Sequence, residues 1–176
     1  MSRIVVVSRY AYLLLIVLSS QQSGQMMWHM TRRDVLHYEV RGLWDGRSGG
    51  KIRLPGLFDL RFDTPKAFGG LGRYACADQL FLSSLAACLI GTFLYFKGKM
   101  RFGPVHVEAS VKARLVLAKD RGYRFSNIKA VLLVLSRKED MIIAKRCGDL
   151  AVSYCHLTQT AGAILPLTVK SRVKLT

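Results

Sequence analysis

The hydrophobic pattern of this chain changes period several times, and each change marks an element. Residues 78–96 form the longest apolar run: after Gln79 nearly every residue is apolar or small, and Lys97, Gly98 and Lys99 close the stretch. About five helical turns with no polar face predict a helix buried on all sides. Asp78 places negative charge at the start of that helix and Lys97 and Lys99 place positive charge at its end, as the backbone dipole favours. Upstream, residues 35–41 partly alternate as a strand, residues 42–50 are turn-rich, and residues 51–54 and 57–62 read as two more strands around Pro55-Gly56. Pro65 with Gly69, Gly70 and Gly72 predicts a loop folded tightly beside something. Downstream, residues 105–117 alternate as a long half-buried strand, Asp120-Arg121-Gly122 reads as a turn, and residues 123–135 form the hairpin partner. Residues 141–154 predict a second helix, with Ile142, Ile143, Leu150 and Ala151 inward and Lys145, Arg146 and Asp149 outward. Cys155 lies at its end, and residues 164–175 are a final strand interrupted by Pro166. Runs of strands separated by two helices predict an α+β fold, with antiparallel sheets and a long buried central helix.

Composition refines this picture in three ways. The 176 residues are 51% hydrophobic, which excludes a disordered chain and allows one substantial core. Residues 31–176 then form the domain, and residues 1–30 an appendage of another character. In the appendage Arg3 and Arg9 flank or precede an apolar run at 10–18, followed by Ser and Gln. Those are the charged and apolar parts of a signal peptide, with a weak cleavage signature and a run too short to span a bilayer. A natural start at Met26, Met27 or Met30 explains the segment equally well and is favoured slightly, because the domain needs nothing from it. A membrane span at 78–96 is disfavoured by Ser83, Ser84, Gly91 and Thr92, which interrupt the run.

The formal charge is +16, from 27 basic and 11 acidic residues, and the first thirty residues contribute only Arg3 and Arg9 to it. Lys112 and Arg114, like Lys170, Arg172 and Lys174, alternate with apolar positions in the manner of a strand's solvent face. No aromatic-and-basic recognition motif accompanies them. The expectation is a solvated basic surface with no nucleic-acid and no membrane partner, in a cytoplasmic protein.

Four cysteines, Cys76, Cys88, Cys147 and Cys155, contain no C-x-x-C pair and no zinc-like spacing, so no metal is expected. They are too sparse for a disulfide scaffold, which leaves buried thiols or a redox pair. Ser84, Ala87, Cys88 and Gly91 form a small-residue stripe that admits another backbone close to the Cys88 sulfur. Cysteine is also among the most buried residue types, so Cys88 fits a plain core position as well.

Residues 35–176 resemble the OsmC/Ohr family, the osmotically inducible and organic hydroperoxide resistance proteins. The likeness rests on Pro65 with Gly69-Gly70, on Asp78-Gln79-Leu80-Phe81 leading into Ala86-Ala87-Cys88, and on Tyr154-Cys155-His156-Leu157-Thr158 before the terminal strand. Gly46-Arg47-Ser48-Gly49 looks like the family's Gly-Arg turn. Two departures are clear: Cys76-Ala77-Asp78 stands where the family has Asn-Pro-Glu, and His156 follows the second cysteine where the family has proline. The resemblance implies an intertwined homodimer that reduces organic hydroperoxides with two cysteines, without a cofactor, at the expense of an external dithiol. It implies Cys88 as the peroxidatic thiol, Cys155 as the resolving one, Arg47 as the activating cation and Asp78 as the stand-in for the family's glutamate. These roles are chemically coherent, because a thiolate attacks the peroxide, a guanidinium favours it, and a nearby thiol captures the sulfenic acid.

Asp78 and Cys88 are ten residues apart on one helix, hence about 15 Å, so a composite site between protomers would explain their cooperation. Phe81, Leu85, Leu89 and Phe93 are the candidate lining for an apolar substrate tail, or for an unreactive ligand in a non-enzymatic member of the same fold. Arg41, Arg53, Arg61 and Arg73 compete with Arg47 for the cation's role, Asp78 has an alternative use as a helix cap, and Cys76 and Cys147 read as structural. His106 and His156 read as surface or packing residues, with His156 placed to tune its neighbouring thiol.

Overall fold

The computed structural model describes residues 35–103, 105–119 and 122–176. The expectations for residues 1–30 and for Asp120 and Arg121 of the hairpin turn fall outside these. The chain divides into two units, Met1–Glu39 and Val40–Thr176. Every element below belongs to the second. Residues 35–40 carry no regular structure and are exposed, so the strand expected at 35–41 begins only at Arg41, where a pairing partner exists.

Two three-stranded sheets organise this unit. The first is a meander of β1 (Arg41–Trp44), β2 (Gly49–Arg53) and β3 (Asp59–Asp63), antiparallel throughout. A single 3-10 turn, Lys66–Phe68, follows. Helix α1 spans Ala77–Met100. Its N-cap is Cys76, whose backbone N–H donates to the Gln79 side chain at 3.0 Å, so Gln79 closes the first turn while Asp78 lies within it.

The second sheet has the order β4 (His106–Ala118), β5 (Gly122–Ser136) and β6 (Leu167–Leu175). β4 and β5 are the long antiparallel hairpin the alternation predicts. β6 pairs with β5 in parallel, which corrects the expectation of purely antiparallel sheets. A parallel neighbour needs a crossover, and α2 (Met141–Tyr154) with α3 (His156–Gly162) supplies it between β5 and β6. The short helix α3 has no counterpart in the sequence reading.

The core lies between this sheet and the helices. Leu89 and Phe93 of α1 pack with Ala130, Leu132 and Val134 of β5 and with Ala144, Cys147 and Ala151 of α2. Leu85 joins Ile128 and Ala161 in a smaller cluster, where Phe81 stacks on Phe125 at 5.7 Å. Leu85, Leu89 and Phe93, four residues apart, are the buried residues of α1. The expected burial on all sides therefore does not hold within one chain, because the sheet covers a single stripe of a helix that is apolar all round. By length and composition alone α1 is able to cross a membrane, yet here that stripe is committed to the sheet.

Candidate active site

Two thiols meet at the centre of the helical layer. Cys88 precedes Leu89 of the buried stripe, so it sits half-buried at the stripe's margin. Cys155 is both the last cap of α2 and the first cap of α3, in an extended conformation that breaks one helix and starts the next. Its carbonyl accepts from the Gln159 N–H at 3.0 Å and the Thr158 hydroxyl at 3.1 Å, which pins the junction. Cys155 is fully buried, both cysteines are free thiols, and Cys88 packs against the buried cluster that contains Cys155, close enough for that thiol to perturb it. That proximity is what a later S–S bond requires.

Burial pushes the Cys88 thiol above its ordinary pKa, and the neighbouring Cys155 sulfur adds to the effect. The Leu157 backbone N–H and the Thr92 hydroxyl work in the other direction. The Leu157 N–H is one of the free first-turn donors of α3, a helix absent from the sequence reading. His156 is closer to the thiol than its reading as a surface residue suggests: Nδ1 lies 3.7 Å and Nε2 4.0 Å from the Cys88 sulfur. This neighbourhood follows from α3, which begins at His156 directly after the Cys155 cap and was not legible in the sequence.

Within one chain Arg47 and Asp78 make no hydrogen bond to either thiol. Neither is among the groups that shift Cys88. Arg47 is exposed in the turn between β1 and β2, where its N–H donates to the Asp45 carboxylate at 2.9 Å and its carbonyl accepts from the Trp44 indole at 2.8 Å. Gly46, at φ 80°, makes this turn possible.

The competing arginines are engaged elsewhere. Arg73 Nε donates to Asp63 at 2.7 Å and its Nη2 to Asp45 at 2.6 Å. Arg61 donates to the Tyr74 hydroxyl at 2.7 Å, and Arg53 faces Asp59 at 3.7 Å. Asp63 is buried and also accepts from the Ser48 hydroxyl at 2.7 Å. The Arg73 hydrogen bond, helped by Ser48, holds its carboxyl well below the usual carboxylate range. This clamp ties the glycine-rich loop to the first sheet, where a side chain at Gly70 would collide with the Thr64 carbonyl. The tight neighbour the glycines predicted is therefore the chain's own backbone.

The expected apolar lining also changes. Leu85, Leu89 and Phe93 are closed core, and Phe81 is half-buried against Phe125, so within one chain these four residues line no open pocket. Their four-residue spacing directs three of them at the sheet.

Compared by sequence, the chain matches no family model and no curated protein. Compared by structure, it is similar to an OsmC-like protein from Mycoplasma pneumoniae, with a TM-score of 0.66 and 17% identity over 80% of this chain and 98% of that one. It is similar as well to an organic hydroperoxide resistance protein OsmC from Legionella pneumophila, at a TM-score of 0.61 and 18% identity over 80% and 99% of the two chains. The fold is that of the OsmC/Ohr proteins. A third structure, an organic hydroperoxide resistance protein from Elizabethkingia anophelis with thiocyanate bound, shares this OsmC/Ohr fold at a TM-score of 0.62 and 17% identity, over 82% of this chain and the whole of the other. Nearly complete coverage of these chains places the OsmC/Ohr likeness in the architecture as a whole and not in one motif.

Proposed function

We propose that this protein reduces organic hydroperoxides by a two-cysteine, thiol-dependent mechanism. The observation that carries the reading is the packing of the half-buried Cys88 against the buried cluster that contains Cys155, whose thiol perturbs that of Cys88. The names of two fold relatives, both organic hydroperoxide resistance proteins, support a role in oxidative stress.

In the first step the Cys88 thiolate attacks the terminal peroxide oxygen. The O–O bond breaks, the alkoxide leaves with a proton as the alcohol, and Cys88 becomes a sulfenic acid. Cys155 then attacks that sulfur, forming the disulfide and releasing water. An external dithiol exchanges with the disulfide and restores both thiols, with no cofactor. Capture by Cys155 precedes further oxidation because Cys155 lies in the buried cluster against which Cys88 packs.

The thiolate needs help, since burial disfavours its charge. His156 and the Leu157 N–H provide part of it within the chain. In this proposal the Arg47 guanidinium and the Asp78 carboxylate of a second protomer complete the site, making the active form a homodimer. Support comes from apolar surface that a single chain leaves open: Leu94 on α1 is 50% exposed, and Trp44 beside the Arg47 turn is 76% exposed. The partner's surface then supplies the apolar walls for the substrate tail that Leu85, Leu89 and Phe93 do not. The reaction belongs to the cytoplasm, where dithiol reductants are available.

Peroxide consumption in the presence of a dithiol, wild type beside Cys88→Ser, tests the reading. The wild type is expected to turn over, faster with an organic hydroperoxide than with hydrogen peroxide, and Cys88→Ser is expected to be inactive. Equal rates would remove the enzyme and leave a non-enzymatic OsmC-fold protein that binds a hydrophobic ligand.

A further inference from the structure

Scattered cations in the sequence become one surface through strand register. In the second sheet the inward positions are set by the buried residues Ile128, Ala130, Leu132 and Val134 of β5. The alternate positions face out, and residues directly opposite share a face. Lys129 is paired with Lys112 of β4 and with Thr168 of β6. Lys170, Arg172 and Lys174 of β6 stand opposite the outward Val131, Leu133 and Leu135.

A one-residue irregularity between Arg114 and Leu115 keeps Arg114 and Arg124 on the same side: Arg114 opposes Asn127, Phe125 turns inward onto Phe81, and Arg124 follows outward. All seven of these basic residues are exposed, and none makes an ion pair among the described residues. The acid on this face is Glu108, opposite Leu133. The face is about 30 Å long and about 10 Å wide, from strand rise and spacing.

We propose that this outward face of β4–β5–β6 docks double-stranded RNA. Seven uncompensated cations on a surface of that size match a phosphate array, and the chain's charge of +16 adds long-range attraction. The outward rows hold one aromatic ring, His106 at the start of β4, and no Phe, Tyr or Trp, so successive unpaired bases have no platform to stack on, which argues against a single strand. The aliphatic Val131, Leu133 and Leu135 lie half-buried on the central strand between longer basic side chains, so they do not project as membrane anchors.

A sheet face without a protruding helix cannot enter a deep groove. It suits the wide, shallow minor groove of an A-form duplex, with phosphates along both rims. Exposed Ser110, Asn127 and Thr168 among the cations offer partners for 2′-hydroxyl groups, which DNA lacks. Cys88 and Cys155 pack on the helical side of the sheet, so docking leaves the thiol site uncovered.

Fluorescence anisotropy of the full-length protein with a labelled RNA duplex of about 20 base pairs tests this at several salt concentrations, beside a DNA duplex of the same sequence and vesicles of phosphatidylcholine with and without phosphatidylglycerol. Tighter binding to the RNA duplex than to DNA is expected. The triple variant Lys170→Gln, Arg172→Gln, Lys174→Gln is expected to lose at least tenfold in affinity and to reduce the slope of log affinity against log salt by about three. A control triple, Lys66→Gln, Lys99→Gln, Arg146→Gln, removes the same charge from the 3-10 turn and the two longer helices, off this face, and is expected to change affinity less than threefold. Far-ultraviolet circular dichroism checks that both variants stay folded. Absence of RNA binding, equal binding to DNA, a preference for anionic vesicles, or equal losses in the two triples would each overturn the proposal.

Discussion

The two sheets of this protein cohere by different forces. β4–β6 are held to the helices by apolar burial, with Leu89, Phe93, Leu132 and Val134 fully out of water. β1–β3 have no such core: Trp44 and Phe58 are largely exposed, and the buried side chain that organises the region is Asp63, paired to Arg73 and tied to Ser48. The thiols therefore sit in the part held by packing, whereas the turn carrying Arg47 sits in the part held by charge. Apolar packing is non-directional and strong in sum, while a clamp of hydrogen-bonded charges is directional and sensitive to pH. One half of the proposed site can be loosened without the other.

The largest effect is expected from Phe93→Ala, which opens a cavity in the packed half and should lower global stability by about 3–5 kcal/mol. Urea denaturation measures it. A loss below about 1 kcal/mol would mean that the helix–sheet core is not what holds the molecule together.

Asp63→Asn tests the charged half. Amide hydrogen exchange is expected to accelerate in β1–β3 while β4–β6 and the alkylation rate of Cys88 change little. Equal loss of protection in both sheets would erase the distinction between them.

Acid should act on the same clamp. The folded-state pKa of Asp63 lies below its unfolded value, so its contribution is fully present above the unfolded pKa of about 3.9 and is lost as the pH falls from there toward the folded value. Trp44 emission in a Trp28→Phe background is expected to change below about pH 4, and this change is expected to be much reduced in Asp63→Asn, which has no carboxyl there to protonate. An acid response identical in wild type and variant would assign the transition to other carboxylates.

The smallest effect concerns the thiol itself. With the His156 ring 3.7 Å from its sulfur, Cys88 should be alkylated by iodoacetamide about threefold more slowly in His156→Gln at neutral pH. Cys147 provides the contrast. It is fully buried, its thiol hydrogen-bonds to the Met100 sulfur at 3.3 Å, and burial pushes its pKa up to about 11. It should stay unmodified in both proteins, and comparable labelling of Cys147 would show that the pockets do not differ in reactivity.

Much of the fold was legible because periodicity is a local property. The alternation at 105–117 and 123–135 gave β4 and β5 nearly residue for residue, and the pattern at 141–154 gave α2 with Cys155 at its end. The helix α3 was missed because seven residues make only two turns, too few for a period to show. At the site, residue type made Cys88 a candidate, and the resemblance to the OsmC/Ohr family paired it with Cys155. They did not reveal that the neighbours of Cys88 would be an imidazole and the Leu157 N–H, nor that Arg73 would be consumed by two carboxylates.

The amino-acid order by itself thus determined which segments are strands or helices, that Cys88 rides on an apolar helix, and that Cys155 ends the second one. Tertiary structure alone decided which stripe of α1 is buried, that β6 runs parallel to β5, and that cations from three strands share one outward face. Local patterns follow from backbone geometry within a few residues. The choice among the faces of an all-apolar helix, and the register between distant strands, depend on partners that only the folded chain brings together.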